Sequence, residues 1–511
     1  MPVQDGSQQV LICGAGPTGL VLAIWLAKRR LPFRIIDKAP RAGTASRALV
    51  MQARTLEFYR MLGIDQIIVP HTRKVDQLRL WVKQRQAGTV FFGREAIDIS
   101  PFPYFYVYPQ DEHEALLESV LGKLGIRVQR NTELLDFEET AEGIRARLKL
   151  PSGGMETVSC SHLAGCDGSR SKVRETLGAD FPGGTYDPIY YVADIIASGP
   201  VVNNDLNLAL DDADFLAVFP MRGEGRVRLV GTVADNHPTQ DTLQWDDVSQ
   251  DILGRLRIEA KTVNWFSTYR VHHRVASFFR KGRAFLCGDA AHVHSPVGGQ
   301  GMNTGIGDAI NLAWKLDAVC QRGAPANLLE TYEQERRPFA LSLVNTTDRV
   351  FTLINRRSRL ATTIRTRLVP AILPRLFRLA AIRRAAFRLV SQTRIHYRSS
   401  GLSTGAVGSL HGGDRLPWLE RQDNYAPLSS LDWQVHCYGP TPVVVADWCG
   451  QSHIPLVAFA PSDRIPASTV CLIRPDGHIG WIGRSDYGNG LNRYAATWRL
   501  VNIKYLQDGE Q

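Results

Sequence analysis

Long apolar runs are missing from this sequence. No stretch reaches the roughly 18 residues that a membrane-spanning helix needs, so no such span is expected. The opening "MPVQDGSQQ" is polar and does not read as a secretion signal. Cysteine is sparse: eight in 511 residues, with no C-x-x-C pair and no zinc-ligand spacing. That argues against a disulfide framework or a metal site and points to unpaired, buried thiols in a reducing, cytoplasmic setting. Internal repeats and low-complexity tracts are absent. Acidic residues are missing from one long segment: Arg356 to Arg398 holds twelve arginines and no lysine, aspartate or glutamate. Subtracting those twelve charges from the net +10 leaves the remainder at −2. The basic signal is therefore local, which argues against a nucleic-acid enzyme with a broad positive face. Residues 366–390 mix arginine with apolar side chains. A peripheral membrane-surface helix is one reading. Pro370 and Pro374 interrupt the pattern and favour short helices packed on the core.

What remains is ordinary for a globular enzyme, with 44% hydrophobic and 22% charged residues. Length alone argues for two to four domains. Residues 9–37 read as strand, glycine turn, helix and strand, a βαβ unit that predicts a parallel sheet. Residues 52–62 and 111–124 carry the 3–4 apolar spacing of amphipathic helices. Residues 156–166 ("ETVSCSHLAGC") look like paired strands. From 185 to 275, short aromatic and β-branched runs separated by polar turns read as a second, mainly antiparallel layer. Helical pattern returns at 305–319 and 328–339. After Ser399 a loop-rich bridge leads to further strands, and Pro475-Asp476-Gly477 marks a hairpin turn.

Two glycine-rich stretches carry the chemistry. Gly14-x-Gly16-x-x-Gly19 follows a strand and opens a helix. Its glycines suit a tight turn, close approach of a pyrophosphate, and close packing of helix on strand. Asp37 lies 18 residues after Gly19, where a carboxylate can accept ribose hydroxyls. This motif does not separate NAD(P) from FAD. The second stretch, "CGDAAHVHSPVGGQGMNTGIGDAINLAWKL" (Cys287–Leu316), does. Asp289 ends a strand and could accept hydrogen bonds from a polyol, and FAD has a ribitol where NAD(P) has none. The following glycines let main chain lie against a flat ring, and a helix beginning near Gly305 would point its N-terminus at the ring. His292 and His294 on this loop read as solvated. Adjacent His272 and His273 point to opposite faces of a strand and make a poor metal pair.

Three spaced motifs, "GAGPTG" with Asp37, "CDGSRSKVR" (Cys166–Arg174) and "GDAAHVHSPVGGQGMN" (Gly288–Asn303), resemble the single-component FAD-dependent aromatic hydroxylases of the p-hydroxybenzoate hydroxylase type. The resemblance spans about residues 9–340. It implies FAD as cofactor, NAD(P)H as electron donor, O2, and a small aromatic substrate hydroxylated through a flavin C4a-hydroperoxide. It implies that Gly14, Gly16, Pro17, Thr18, Gly19, Asp37 and Lys38 hold the ADP half. Asp167 would support FAD and NAD(P)H binding. Arg47 would sit at the active-site mouth, and Gln110 would contact FAD. Gly288 and Asp289 would hold the ribitol. Pro296, Gly299, Gly301, Met302 and Asn303 would meet the flavin edge. "YEQERRP" (Tyr332–Pro338) matches a family helix ending.

The expected fold is α/β: a Rossmann-like FAD-binding domain (1–180 and, with the basic helical region, 276–398), an inserted antiparallel β substrate domain (181–275), and a C-terminal domain (399–511). The last resembles the thioredoxin-like extension of the phenol, hydroxyphenylpropionate and polyketide hydroxylases. "DWCGQS" has Ser452 where thioredoxins carry a second cysteine, so Cys449 reads as structural. Tyr191, Asp194, Phe219 and Tyr269 are candidates to line a substrate pocket. No catalytic base is assigned. A homodimer, a Baeyer–Villiger or epoxidising activity on the same scaffold, an FAD dehydrogenase and a non-enzymatic flavin-binding module stay open. The W-x-W-x-I-P signature of flavin halogenases is absent.

Overall fold

The computed structural model describes residues 8–43, 48–82, 84–91, 96–210, 216–233, 243–248, 253–254, 256–295, 298–355, 359–484 and 487–500. Strand Gln8–Cys13 pairs in parallel with Phe33–Ile36 on one side and with Met155–Gly165 on the other; Ala284–Leu286 continues the parallel sheet beyond that. The strand is apolar on both faces because helices cover both faces. Helix Pro17–Lys28 buries every residue from Gly19 to Leu26, and it packs against the long helix Gly301–Gln321.

Residues 156–166 do not form paired strands. They belong to one strand, Met155–Gly165, that serves two neighbours in turn. Its first half pairs antiparallel with Ile144–Lys149, and its second half pairs in parallel with Gln8–Cys13. No turn residue interrupts "ETVSCSHLA", so nothing breaks the strand. Its alternating half lies at the half-exposed edge, and its apolar half enters the covered sheet.

The second layer is an eight-stranded sheet. Gly183–Ser198 and Glu259–Val275 pair antiparallel along most of their length, with irregularities that bend them. A hairpin from much earlier in the chain, Gln77–Val82 with Arg85–Phe91, joins this sheet by parallel pairing to Leu206–Ala209. Alternation in "QLRLWV" carried that signal, but the sequence reading did not use it. The outer face of the sheet has its own core of Trp81, Tyr191, Ala193, Ile195, Val218 and Leu229.

In the basic segment, helix Val369–Leu376 lays Val369 and Leu373 on the hairpin, beside Leu80 and Val90. Pro374 contacts the open side of Gly88. The helix that contains "YEQERRP" does not end at Pro338. It runs from Glu330 to Asn355 with the proline inside. Buried ion pairs of Glu335 and Arg336, just before the proline, hold the helix in place.

The C-terminal layer has four strands in the order Leu456–Phe459, Gln434–Tyr438, Thr469–Ile473, Ile479–Gly483; the first pair is parallel and the others antiparallel. Helices Val443–Ser452 and Tyr487–Trp498 pack on it. The expected hairpin turn forms, with Gly477 at φ +74° and its N–H donating to the Arg474 carbonyl.

This layer is joined to the rest through buried charge. Arg474 donates to both oxygens of Glu335 at 2.7 and 2.9 Å and to Asp476 at 2.6 Å. Lys315 donates to Glu335 at 2.8 Å, and Trp314 Nε1 donates to Asp476 at 3.2 Å. Burial alone would raise the Glu335 carboxyl; Arg474 and Lys315 outweigh it and hold it at about 2. Arg474→Met removes the cation shared by two buried carboxylates, and unfolding in urea should show a loss of about 3–5 kcal/mol. A loss below about 1 kcal/mol would contradict this account of the joint. Because the folded value lies below the ordinary 4.5, the stabilisation from Glu335 is complete above pH 4.5 and is lost as pH falls toward 2. Acid titrations of Glu335→Gln should therefore be flatter across that window.

Candidate functional site

The first glycine turn is shaped by contact with the neighbouring strand. Gly14 adopts φ +102°, and a Cβ there would lie 2.2 Å from the Cys166 carbonyl oxygen. At Gly19 a Cβ would lie 2.0 Å from the Gly14 carbonyl oxygen. Gly16 is different: a Cβ there meets nothing within 4 Å. It faces a cavity of about 240 Å³ lined by Gly14, Gly16, Asp37, Lys38, Asp167 and Gly168, among others. Pro17 begins the helix and supplies no N–H at its first position. Asp37 accepts from the N–H groups of Ala15 and Ala39, both at 2.7 Å. Each carboxylate oxygen keeps further acceptor capacity toward the cavity.

Asp167 lines the same cavity, but its carboxylate also accepts from Ser171 Oγ at 2.5 Å and from the Val173 N–H at 3.1 Å. It thereby organises the start of helix Lys172–Leu177. Burial raises its carboxyl above the ordinary range, against these hydrogen bonds.

The second glycine stretch comes to the first through one side chain. Thr18, in the opening turn of the first helix, sits against Gly288 and Gly305. A Cβ at Gly288 would lie 2.6 Å from Thr18 Oγ1, and one at Gly305 would lie 2.4 Å from it. Gly288 has φ +61° and donates its N–H to Asp308 at 3.0 Å. Asp289 stands exposed in the short turn Gly288–Ala290. Two stretches separated by some 270 residues in sequence are thus in direct contact.

The long helix begins at Gly301, one turn before the expected Gly305. Buried Asn303 explains the earlier start. Its Oδ1 accepts from the Gln52 N–H at 2.9 Å and from Thr55 Oγ1 at 2.7 Å, and its Nδ2 donates to the carbonyls of Val50 and Gly299, both at 2.8 Å. The side chain of Asn303, a residue expected at the flavin edge, is therefore fully used in pinning the loop. Gly299 (φ +61°) presses against Val50, and Met302 is partly buried against the core. Pro296 lies outside the described residues.

The loop histidines are not solvated. His292 is buried, with Nε2 2.7 Å from Asp308 Oδ2, and Arg336 Nε donates to Asp308 Oδ1 at 2.6 Å. Burial would raise the Asp308 carboxyl, but Arg336 and His292 together hold it below its ordinary value. His294 is pushed down to about 4 by burial and by His292, so it is neutral near pH 7. The sequence carried no mark of this network, because Asp308 and Arg336 look like ordinary helix residues.

Gln110 accepts from the Ala48 N–H at 3.0 Å and donates to Glu114 at 2.8 Å, while Glu114 accepts from the Gly43 N–H at 3.1 Å. It ties down both flanks of residues 44–47. Arg47 lies outside the described residues.

In the second sheet, Tyr191 packs in the sheet's own core with Trp81, Ile195 and Leu229. Asp194 is on the opposite face, held bidentate by buried Arg228 at 2.5 and 2.7 Å. Arg228 also donates to the Ala48 carbonyl at 3.3 Å, which links this sheet to the segment that leads into Val50–Met51. Phe219 packs near Leu49 and Val107, and Tyr269 lies against Tyr190. Arg228 was missed by the sequence reading; its alternation with Val227 and Leu229 was the available signal.

The sequence matches the family described as FAD binding domain over residues 7–347. This chain is an FAD-dependent monooxygenase of that family. A flavin-dependent monooxygenase of Mycobacteroides abscessus is 32% identical, with 92% of this chain and 96% of the relative covered. The 6-methylpretetramide 4-monooxygenase of Streptomyces rimosus is 33% identical over 82% of this chain and 76% of its own length. Among solved structures, the anhydrotetracycline hydroxylase OxyS of Streptomyces rimosus matches with a TM-score of 0.75 at 28% identity, covering 96% of this chain and 98% of that one. FAD is therefore the cofactor, with NAD(P)H the electron donor typical of the family. The groove at Gly16 and the contact of the two glycine stretches fit a single extended FAD. No helix among the described residues is long and apolar enough to cross a membrane.

Gly305→Ala should force Thr18 away from the second loop and weaken FAD binding by about tenfold or more, as read by fluorescence titration. Thr18→Ala in that background removes Oγ1 and should restore part of the loss. Wild-type FAD affinity in Gly305→Ala would show that the contact does not matter.

Proposed function

We propose that this enzyme hydroxylates a phenolic or polyketide-type aromatic substrate, with electrons from NAD(P)H and one oxygen atom from O2. The observation that carries this reading is the placement of the second sheet. Its Asp194–Arg228 face is tied to Ala48 and turns toward the side of the molecule that holds the glycine loops. The relatives named as pretetramide and anhydrotetracycline oxygenases support a multi-ring aromatic substrate class. Bound FAD would supply the reducing equivalents and the site of oxygen activation.

The chain's own residues have three tasks in this reading. Gly14–Gly19, Asp37 and Lys38 hold the ADP half, with Asp167 shaping the wall of their cavity. Gly288 and Asp289 receive the ribitol, and the main chain of Gly301–Asn303 frames the flavin edge. Phe219, Tyr269 and the Asp194–Arg228 pair form the wall that shelters the substrate from water.

The assignment of residues 1–180 and 276–398 to the FAD-binding domain, 181–275 to the substrate domain and 399–511 to the C-terminal domain belongs to the same proposal. The strand order of the C-terminal layer supports a thioredoxin-like domain. A redox role for it is disfavoured, because burial pushes the Cys449 thiol up to about 12 and Ser452 stands at the partner position. We also propose a cytoplasmic location, which suits eight cysteines that are all unpaired.

The test is oxidation of NADH and NADPH by purified holoenzyme across a panel of phenols and polycyclic phenols under ¹⁸O2. The expected product is a new phenol carrying one labelled oxygen. A labelled lactone or epoxide without a new phenol would replace hydroxylation with the other oxygenation chemistry.

A further inference from the structure

A second cavity, of about 470 Å³, shares no lining residue with the FAD groove. It lies where the basic segment meets the C-terminal residues Ser409–Pro417, Asp463 and Arg464 and the turn at Ile99. Five arginines line it: Arg388, Arg394, Arg398, Arg415 and Arg464. They come from three separate stretches of chain, so the cluster is assembled by the fold and is not a run in the sequence.

The charge around this cavity is incompletely balanced. Buried Glu57 is shared by Arg54 at 2.9 Å and Arg415 at 2.6 Å. Asp98 is shared by Arg384 and Arg464. Asp414 pairs with Arg398 at 2.6 Å. Arg388 and Arg394 have no carboxylate partner among the described residues. The lining itself holds five arginines against two carboxylates, Asp414 and the exposed rim residue Asp463, an excess of three positive charges. Burial, followed by the repulsion of neighbouring arginines, pushes Arg388 and Arg464 below the ordinary arginine value despite the pull of Asp98.

The cavity floor is built, because the Arg415 side chain is only 7% exposed and is fixed by its bidentate grip on Glu57. The carboxylate pairs occupy part of the Arg398, Arg415 and Arg464 forks, while Arg388 and Arg394 keep theirs, so a tetrahedral oxyanion in the cavity can accept from Arg388, Arg394 and the remaining N–H groups of the others. A phosphate close to its dianionic form would remove about two of the three excess charges. The volume exceeds what a bare phosphate needs and lies in the usual range for small-molecule sites.

We propose that this arginine cavity is a binding site for a phosphate group, carried on a nucleotide or free in solution. It is separate from the pyrophosphate position at Gly14–Gly19. It does not depend on the identity of the oxidised substrate.

The test is calorimetric titration of FAD-saturated enzyme, so that the flavin groove is filled and cannot report. The probes are 2′,5′-ADP, 5′-AMP and inorganic phosphate. The expected result is binding of at least one probe with a Kd below ~1 mM. Arg388→Gln/Arg394→Gln should weaken it by about tenfold, the worth of one charge-assisted hydrogen bond. Arg367→Gln, an exposed charge outside the cavity, should leave it unchanged. Tighter binding of a nucleotide than of inorganic phosphate assigns the site to a nucleotide ester; equal affinities assign it to free phosphate. Three results would overturn the proposal: no binding of any probe up to ~10 mM, wild-type affinity in the double variant, or equal weakening by Arg367→Gln.

Discussion

The architecture turns on Thr18. Its hydroxyl occupies the space between Gly288 and Gly305, and a methyl group at either glycine would overlap it. This contact is short because both partners lack a side chain. It brings the first helix, the end of strand Ala284–Leu286 and the long helix Gly301–Gln321 to one point. The glycine turn at Gly14 and the glycine stretch at Gly288–Gly305 are thereby brought side by side. If the helices stood further apart, each glycine stretch would be only an isolated turn.

Interactions behind the groove keep that approach in place. Asp308 receives the Gly288 N–H, His292 and Arg336 in one buried cluster. Asn303 fixes the loop to Val50, Gln52 and Thr55 from the other side. Neither side chain is free for a ligand. Both hold main chain in position. The same long helix supplies Trp314 and Lys315 to the charged joint with the C-terminal layer, so the second glycine stretch and that layer share one structural element.

Much of this was legible in the sequence. The βαβ unit, the glycine spacing and Asp37 follow local rules, and the Gly288–Asn303 stretch carried enough chemistry to separate flavin from nicotinamide. What escaped were features set by distant partners. The hairpin Gln77–Phe91 has an ordinary alternating pattern, and nothing local says that it joins a sheet formed more than a hundred residues later. Tyr191 and Asp194 differ by three positions and so face opposite sides of a strand; only the fold decides which side carries the apolar core and which the pair with Arg228. His292 looked like a solvated loop residue because its partner Asp308 lies a helix turn or more inside the following element. Pro338 looked like a helix end because proline usually is one, and buried Glu335 and Arg336 override that preference.

In the proposed reading the two glycine stretches bind opposite halves of one FAD. Asp289 separates the halves, since it is exposed at the proposed ribitol position and far in sequence from the adenosine end. The direct measurement compares the affinities of FAD and ADP for the wild-type apoprotein and for Asp289→Asn. The account predicts that FAD binding weakens by about tenfold, as expected for a hydrogen bond to a charged group, while ADP binding is unchanged. Equal weakening of both ligands, or of ADP alone, would contradict it.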